Sequence, residues 1–209
     1  MDYDRISDWD LSALMDLLPQ ERQGKALRYR QRADRCACVV SWAMLRLLLK
    51  QYCGITDPVF SSAESGKPFL LSDPDVHFNI SHAKGGCLAA VADVPVGVDV
   101  QDTVQFGWDA GASSEKNTHG VNGLSLARRC CCPEELRFLE TAADPGGAFT
   151  KMWVIKEAVS KMTGQGLSAG FETINSLQYE RQGLVQTDKR GDLYMAIALA
   201  GQGFPSQGI

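Results

Sequence analysis

Histidine is scarce in this chain, and no two cysteines stand in a C-x-x-C pair. Three histidines occur among 209 residues, and the seven cysteines (Cys36, Cys38, Cys53, Cys87, Cys130, Cys131 and Cys132) form an odd count with no repeated spacing. A zinc site on the usual ligand spacing is therefore not expected, and the thiols read as small apolar residues. No apolar run approaches the ~20 residues that span a bilayer. The best of them, Cys38–Leu49, is interrupted by Arg46 and reads as a buried helix. Positive charge is not in excess: 21 Lys and Arg stand against 25 Asp and Glu, a net charge of −4. That balance argues against a protein that coats nucleic acid. There is no Walker-type glycine loop. The N-terminal residues MDYDRISDWD are acidic and polar, unlike a secretory signal. The expected location is cytoplasmic, with no membrane partner.

What the chain does have is a strong helix near its C-terminal third. Phe149, Met152, Trp153, Ile155, Val159 and Met162 recur at helical spacing, and Gly164 and Gly166 mark the end of the stretch Lys151–Leu167. Glu157 and Lys161 lie four residues apart on the polar side, where on their own they read as a solvated ion pair. Lys156 projects into the apolar arc, which on its own reads as a snorkelling side chain.

Earlier, Asp8–Leu18 and Asp34 to about Tyr52 carry helical patterns. Between them falls a basic cluster: Arg22, Lys25, Arg28, Arg30, Arg32 and Arg35. It reads either as a solvated helix surface or as a local anion site, phosphate foremost. Gly66-Lys67-Pro68 places a lysine in a constrained loop. His77–His82 alternates as a strand, with Phe78 and Ile80 on one side and His77, Asn79 and Ser81 on the other. Val96–Gln101 alternates too, and puts Gly97, Asp99 and Gln101 on one face. A carboxylate and an amide oxygen side by side suit a hard cation such as Mg²⁺. Asp102–Gly123 has no apolar period and reads as a loop. Leu124–Arg129 and Pro133–Thr141 read as helices, Phe171–Ala200 as an antiparallel sheet, and the tail beyond Gly201 as disordered.

Four of these stretches, GKP at Lys67, FNISH (Phe78–His82), GVDV (Gly97–Val100) and WVIKEAVSKMTGQGL (Trp153–Leu167), follow one another in a familiar order. Their order and spacing resemble those of the Sfp-type 4′-phosphopantetheinyl transferases, over roughly Arg22 to Leu167. The resemblance implies an α+β fold made of a pseudo-twofold pair of similar halves. The halves would be residues 1–101 and 124–209, with 102–123 as linker, and a monomer would suffice. It implies transfer of the 4′-phosphopantetheine arm of coenzyme A to a serine of an acyl- or peptidyl-carrier protein. Mg²⁺ would be required, and adenosine 3′,5′-bisphosphate released. By residue, it implies Asp99 and Glu157 at the metal, with Gln101 beside them, and Lys161 at the pyrophosphate. Arg22, Lys25, Lys67, Ser81 and His82 would hold the 3′-phosphoadenosine part. The resemblance leaves the serine's base open between Glu157 and Glu135.

This chain departs from the pattern in three places. Gln101 stands where a carboxylate is common, Ala37 where an arginine is common, and Cys38 where a hydroxyl is common; Arg35 is the residue expected to compensate at the phosphate. Two other functions remain beside this reading: a carrier-protein binder without catalysis, and a Mg²⁺-dependent nucleotide hydrolase.

Overall fold

The computed structural model describes residues 6–63, 66–103, 123–165 and 170–201. The first half opens with helices α1 (Asp8–Met15), α2 (Gln20–Arg28) and α3 (Arg32–Cys53). Two antiparallel hairpins follow: β1 (Phe60–Ser62) with β2 (Pro68–Leu70), and β3 (His77–Ala83) with β4 (Gly86–Ala92). α3 supplies the core of this half. Its Trp42, Leu45 and Leu49 are buried with Leu11, Leu70 and Phe78. The rings of Trp42, Phe60 and Phe78 meet edge to face, with centroids 5.1, 5.5 and 6.2 Å apart, the arrangement that aromatic quadrupoles favour. By length and composition α3 passes for a membrane span, but 50% of its most apolar window is buried inside the protein.

The second half comprises β5 (Val96–Asp102), α4 (Gly123–Cys130), α5 (Pro133–Thr141), α6 (Pro145–Thr163), α7 (Ser176–Arg181), β6 (Val185–Arg190) and β7 (Leu193–Leu199). Its sheet has the order β5-β7-β6, antiparallel throughout. β5 ends the first half in the sequence reading, yet its backbone partners run from Val96↔Leu199 to Asp102↔Leu193. By hydrogen bonding it is therefore a strand of the second half. α3 packs on β3 and β4, and α6 on β5 and β7, so the helix-over-strands arrangement occurs twice in an α+β fold.

Two further sequence expectations meet the structure differently. Leu177 and Tyr179, taken as strand alternation, lie on α7, which Asn175 starts by accepting the Gln178 N–H. The linker from 104 to 122, Gly166 and Leu167, and the tail beyond Gly201 lie outside the described residues.

Lys156 does not snorkel. It is fully buried, and so is its partner Glu135, at Nζ–Oε2 2.8 Å. The ammonium also donates to the carbonyls of Phe171 and Ile174. The carboxylate further accepts from Cys132 N–H, Ser176 N–H and Ser176 Oγ. Burial pushes the Glu135 carboxyl upward, but the bonds from Lys156 and Ser176 outweigh it and hold it below the usual glutamate range. Every donor of the ammonium is met, which is the condition under which a buried pair persists. The pair joins α5, α6, a single 3₁₀ turn (Phe171–Thr173) and the start of α7. Glu135 is thus committed to structure and is not placed to take a proton from a substrate.

α6 is the longer relative of the helix expected from sequence. Asp144 caps its start by accepting the Gly147 N–H, and Gly164, at φ 74°, ends it. It crosses β5 in direct backbone contact. A Cβ on Gly97 would fall inside the space of the Ala158 carbonyl and the Met162 nitrogen. That contact lays the polar side of α6 over Asp99.

Glu135→Ala is expected to destabilise the protein by about 3–5 kcal/mol, because Lys156 is left buried and unpaired. Urea unfolding measures this. The depressed Glu135 carboxyl gives stability that is present above the ordinary glutamate value and lost as pH falls through its folded value. The wild-type advantage over Glu135→Ala should therefore shrink in acid.

Candidate active site

The site lies where the two halves meet, along a seam between β3 and β5. These strands share no backbone ladder. Instead, Asn79 Oδ1 accepts the Val98 N–H at 2.9 Å and Ser81 Oγ accepts the Val100 N–H at 3.3 Å. The links 79 to 98 and 81 to 100 step in the same sense, so the strands run parallel. Short polar side chains of the FNISH segment therefore stand in for main-chain partners. Asn79, on the polar strand face with Ser81 in the sequence reading, was not named there as a site residue; the strand parity it shares with Ser81 was its signal.

Asp99 is buried beside this seam. Its Oδ1 accepts Ser81 Oγ at 2.8 Å and Lys161 Nζ at 2.6 Å. Lys161 also donates to Ser81 Oγ at 3.1 Å. Glu157, one turn before Lys161, has its carboxyl raised above the usual glutamate range. Burial is the first cause and the Asp99 charge the second, with Lys161 opposing both. Gln101 is two residues beyond Asp99 on the same strand face and half-buried. No group of three or more His, Cys, Asp or Glu side chains converges on one point among the described residues. The available hard donors are two carboxylates and an amide oxygen. Mg²⁺ keeps several waters and leans on substrate phosphates rather than on a full protein cage. The set therefore fits Mg²⁺: two carboxylates and an amide oxygen are hard donors, and Lys161 is the cation beside Asp99.

Next to the carboxylates is a chamber of about 320 Å³ lined by Arg22, Lys25, Tyr29, Cys38, His82 and Lys161, among others. The basic cluster of the sequence thus divides: Arg22 and Lys25 reach this chamber with Ser81, His82 and Lys161. The Arg22 guanidinium lies 5.1 Å from the centroid of the Trp42 ring. His82 meets Tyr29 edge to face at 6.4 Å. The imidazole is held below the usual histidine range by burial first, then by Lys161 and Lys25, while Asp34 opposes. Burial raises the Cys38 thiol, so this wall is a neutral S–H.

Two residues differ from expectation. Lys67 lines a second chamber of about 290 Å³, shared with Lys161 and Asn79. Its ammonium is engaged with the α6 carbonyls of Lys161, at 2.5 Å, and Met162, at 3.2 Å. Arg35 donates to the Tyr29 carbonyl at 3.1 Å and is not among the residues lining the first chamber. It supports Tyr29 rather than replacing a phosphate contact. Tyr29 and Trp42 are chamber residues that the sequence reading did not name; Tyr29 sits inside the basic cluster, which was the available signal.

The chamber is cationic, and two of its lining residues, Ser81 and Lys161, hold Asp99. Comparison with known proteins gives the family. The family described as 4′-phosphopantetheinyl transferase, N-terminal matches residues 5–94. The one described as 4′-phosphopantetheinyl transferase superfamily matches residues 95–194. A 4′-phosphopantetheinyl transferase of Bacillus subtilis is 27% identical over 176 residues, covering 81% of this chain and 70% of the relative. Psf-1 of Bacillus pumilus, also named a 4′-phosphopantetheinyl transferase, is 24% identical over 177 residues, or 83% and 69%. The L-aminoadipate-semialdehyde dehydrogenase-phosphopantetheinyl transferase of Saccharomyces cerevisiae is 25% identical over 181 residues, or 80% and 61%. The chain belongs to the 4′-phosphopantetheinyl transferase superfamily and is an enzyme of that kind. The two matches meet at residues 94 and 95, directly before β5, where the hydrogen bonding also changes sheets.

An anion in the first chamber offsets the repulsion that Lys161 and Lys25 exert on His82. His82 should then take up a proton when adenosine 3′,5′-bisphosphate binds. Affinity is expected to rise as pH falls from about 8 to about 6, and His82→Gln should flatten that rise. Calorimetry in buffers of different ionisation enthalpy reads the proton uptake, and the difference between the two proteins removes the ligand's own titration.

Proposed function

We propose that the enzyme moves the 4′-phosphopantetheine arm of coenzyme A to a serine of an apo acyl- or peptidyl-carrier protein. The observation that carries this reading is the meeting of the Arg22–Lys25–His82–Lys161 chamber with Asp99 and Glu157 at one seam. Arg22, Lys25 and His82 suit the 3′-phosphate of the nucleotide, and Lys161 the pyrophosphate. Asp99, Glu157 and the Gln101 amide would hold Mg²⁺, which supplies charge neutralisation on the pyrophosphate when bound. The serine Oγ forms a bond to the phosphorus that bears pantetheine. The bond from that phosphorus to the adenosine 3′,5′-bisphosphate oxygen breaks. The serine proton goes to Glu157, the carboxylate one helical turn from Lys161. Lys161 offsets charge on the departing phosphate. All of these residues come from one chain, so a monomer is sufficient.

Incubation with a panel of fatty-acid, polyketide and non-ribosomal peptide apo-carriers, coenzyme A and Mg²⁺ tests the reading. Intact mass should show a gain of one phosphopantetheine on at least one carrier; none on any would overturn it. Glu157→Gln should lose transfer by a factor on the order of 10²–10⁴ while remaining folded by circular dichroism. Wild-type turnover by that variant would remove Glu157 from the mechanism.

Gln101 lacks the formal charge that a third carboxylate would bring. Gln101→Glu should lower the Mg²⁺ concentration for half-maximal activity several-fold. One added charge at close range is worth on the order of 1–4 kcal/mol, offset in part by hydration. Superimposable Mg²⁺ titrations at saturating coenzyme A would mean that residue 101 does not face the ion.

A further inference from the structure

Lys161 stands in two places of demand at once. Its Nζ is 2.6 Å from Asp99 Oδ1 and 3.1 Å from Ser81 Oγ. A hard dication would take a carboxylate oxygen of Asp99 at about 2.0–2.1 Å for Mg²⁺. An ammonium held on that oxygen repels such an ion at close range. Yet Lys161 also lines both chambers, where phosphate charge has to be met.

The structure separates what is fixed from what can move. The Lys161 main chain is held, because its carbonyl accepts Lys67 Nζ and α6 rests on Gly97. The Lys161 side chain is 31% exposed and Asp99 only 8%, so the ammonium has solvent on one side and the carboxylate does not. Ser81 Oγ donates to Asp99 on its own account, so the carboxylate keeps its place if the lysine leaves. Among the described residues no ion pair reaches Glu157, one helical turn before Lys161.

We propose that Lys161 is the resident cation of Asp99 in the free enzyme, and that nucleotide phosphate withdraws it and opens the carboxylate pair to a divalent cation. Metal and nucleotide then load together, and each raises the affinity of the other by the same factor. The inference rests on the metal reading given under the proposed function. It adds that the residue serving the phosphate is also what keeps the metal out beforehand.

The test measures Mn²⁺ binding by electron paramagnetic resonance, with no carrier and no turnover. Wild type alone should bind Mn²⁺ weakly, and adenosine 3′,5′-bisphosphate or coenzyme A should tighten it about tenfold or more. Lys161→Met keeps the length and packing of the side chain without its charge. Without nucleotide it should bind Mn²⁺ about tenfold more tightly than wild type, and gain less when nucleotide is added. Lys161→Ala, checked for folding by circular dichroism, should behave alike. Asp99→Asn should remove the binding in every case. If both Lys161 variants bind as weakly as wild type without nucleotide, while wild type with coenzyme A binds through Asp99, the lysine gate is wrong and the metal site stands. If Mn²⁺ never binds through Asp99, the metal reading and the gate fall together.

Discussion

Backbone contact between α6 and β5 sets the geometry on which the site depends. It exists because residue 97 has no side chain; the Ala158 carbonyl and Met162 nitrogen occupy the place a Cβ would take. Asp99, one pleat further along the same face, then lies under the helix turn that carries Glu157 and Lys161. Two other contacts keep α6 from rolling. Lys67 reaches from the loop between β1 and β2 to the last carbonyls of the helix, groups that a helix end otherwise leaves unmet. On the opposite side Lys156 is locked to Glu135 and two carbonyls. One lysine belongs to the first half and one to the second, so α6 is fixed to both.

Charge in this protein is sorted locally, which the chain total of −4 conceals. Arg22, Lys25 and Lys161 border one chamber with His82. Asp99 is held by two of the chamber's lining residues, Ser81 and Lys161, and the Glu157 carboxyl is raised by burial first and by the Asp99 charge second. A pyrophosphate with a dication spans such a boundary naturally, since it carries negative charge toward the lysines and positive charge toward the carboxylates. The depressed imidazole and the raised carboxyl are the two sides of the same arrangement: burial is the first cause of each shift, and neighbouring like charge the second. Perturbed groups of opposite kind lying together mark a functional site better than either alone.

Much of this was legible in the residues, and what was not has a common cause. The helical period of the Trp153 segment, the Gly164 stop and the alternation of FNISH and GVDV are local signals, and each appears as expected in α6, β3 and β5. Lys156 in the apolar arc was visible as an oddity, but its partner lies on another helix, 21 residues away in sequence. Nothing local distinguishes a lysine that snorkels from one that meets a buried glutamate. Glu135 shows the same limit in reverse: an acidic residue in a first helical turn looks free until Ser176 and Lys156 are seen around it. The strand β5 was read as a strand and grouped with the first half by chain proximity, while its backbone ladder goes to β7. Leu177 and Tyr179 alternate over too few residues to tell a strand from the start of a short helix.

The seam between β3 and β5 explains why the FNISH residues are small and polar at alternate positions. Two parallel strands drawn together by a regular ladder would leave no room between the halves for a ligand edge. Held apart without partners, Val98 and Val100 would bury N–H groups unmet, at a cost of about 1–3 kcal/mol each. Asn79 and Ser81 resolve the conflict by extending one acceptor each across the gap. Ser81 does so with a hydroxyl that still has its proton to give, and it gives it to Asp99. A single oxygen thereby joins the strand seam to the carboxylate and to Lys161. Alanine at 81 would break all three contacts, and threonine would keep the hydroxyl but add a methyl group beside a carboxylate that is almost fully enclosed. The restriction on residue type at this position thus follows from the packing of two half-sheets before any substrate is considered.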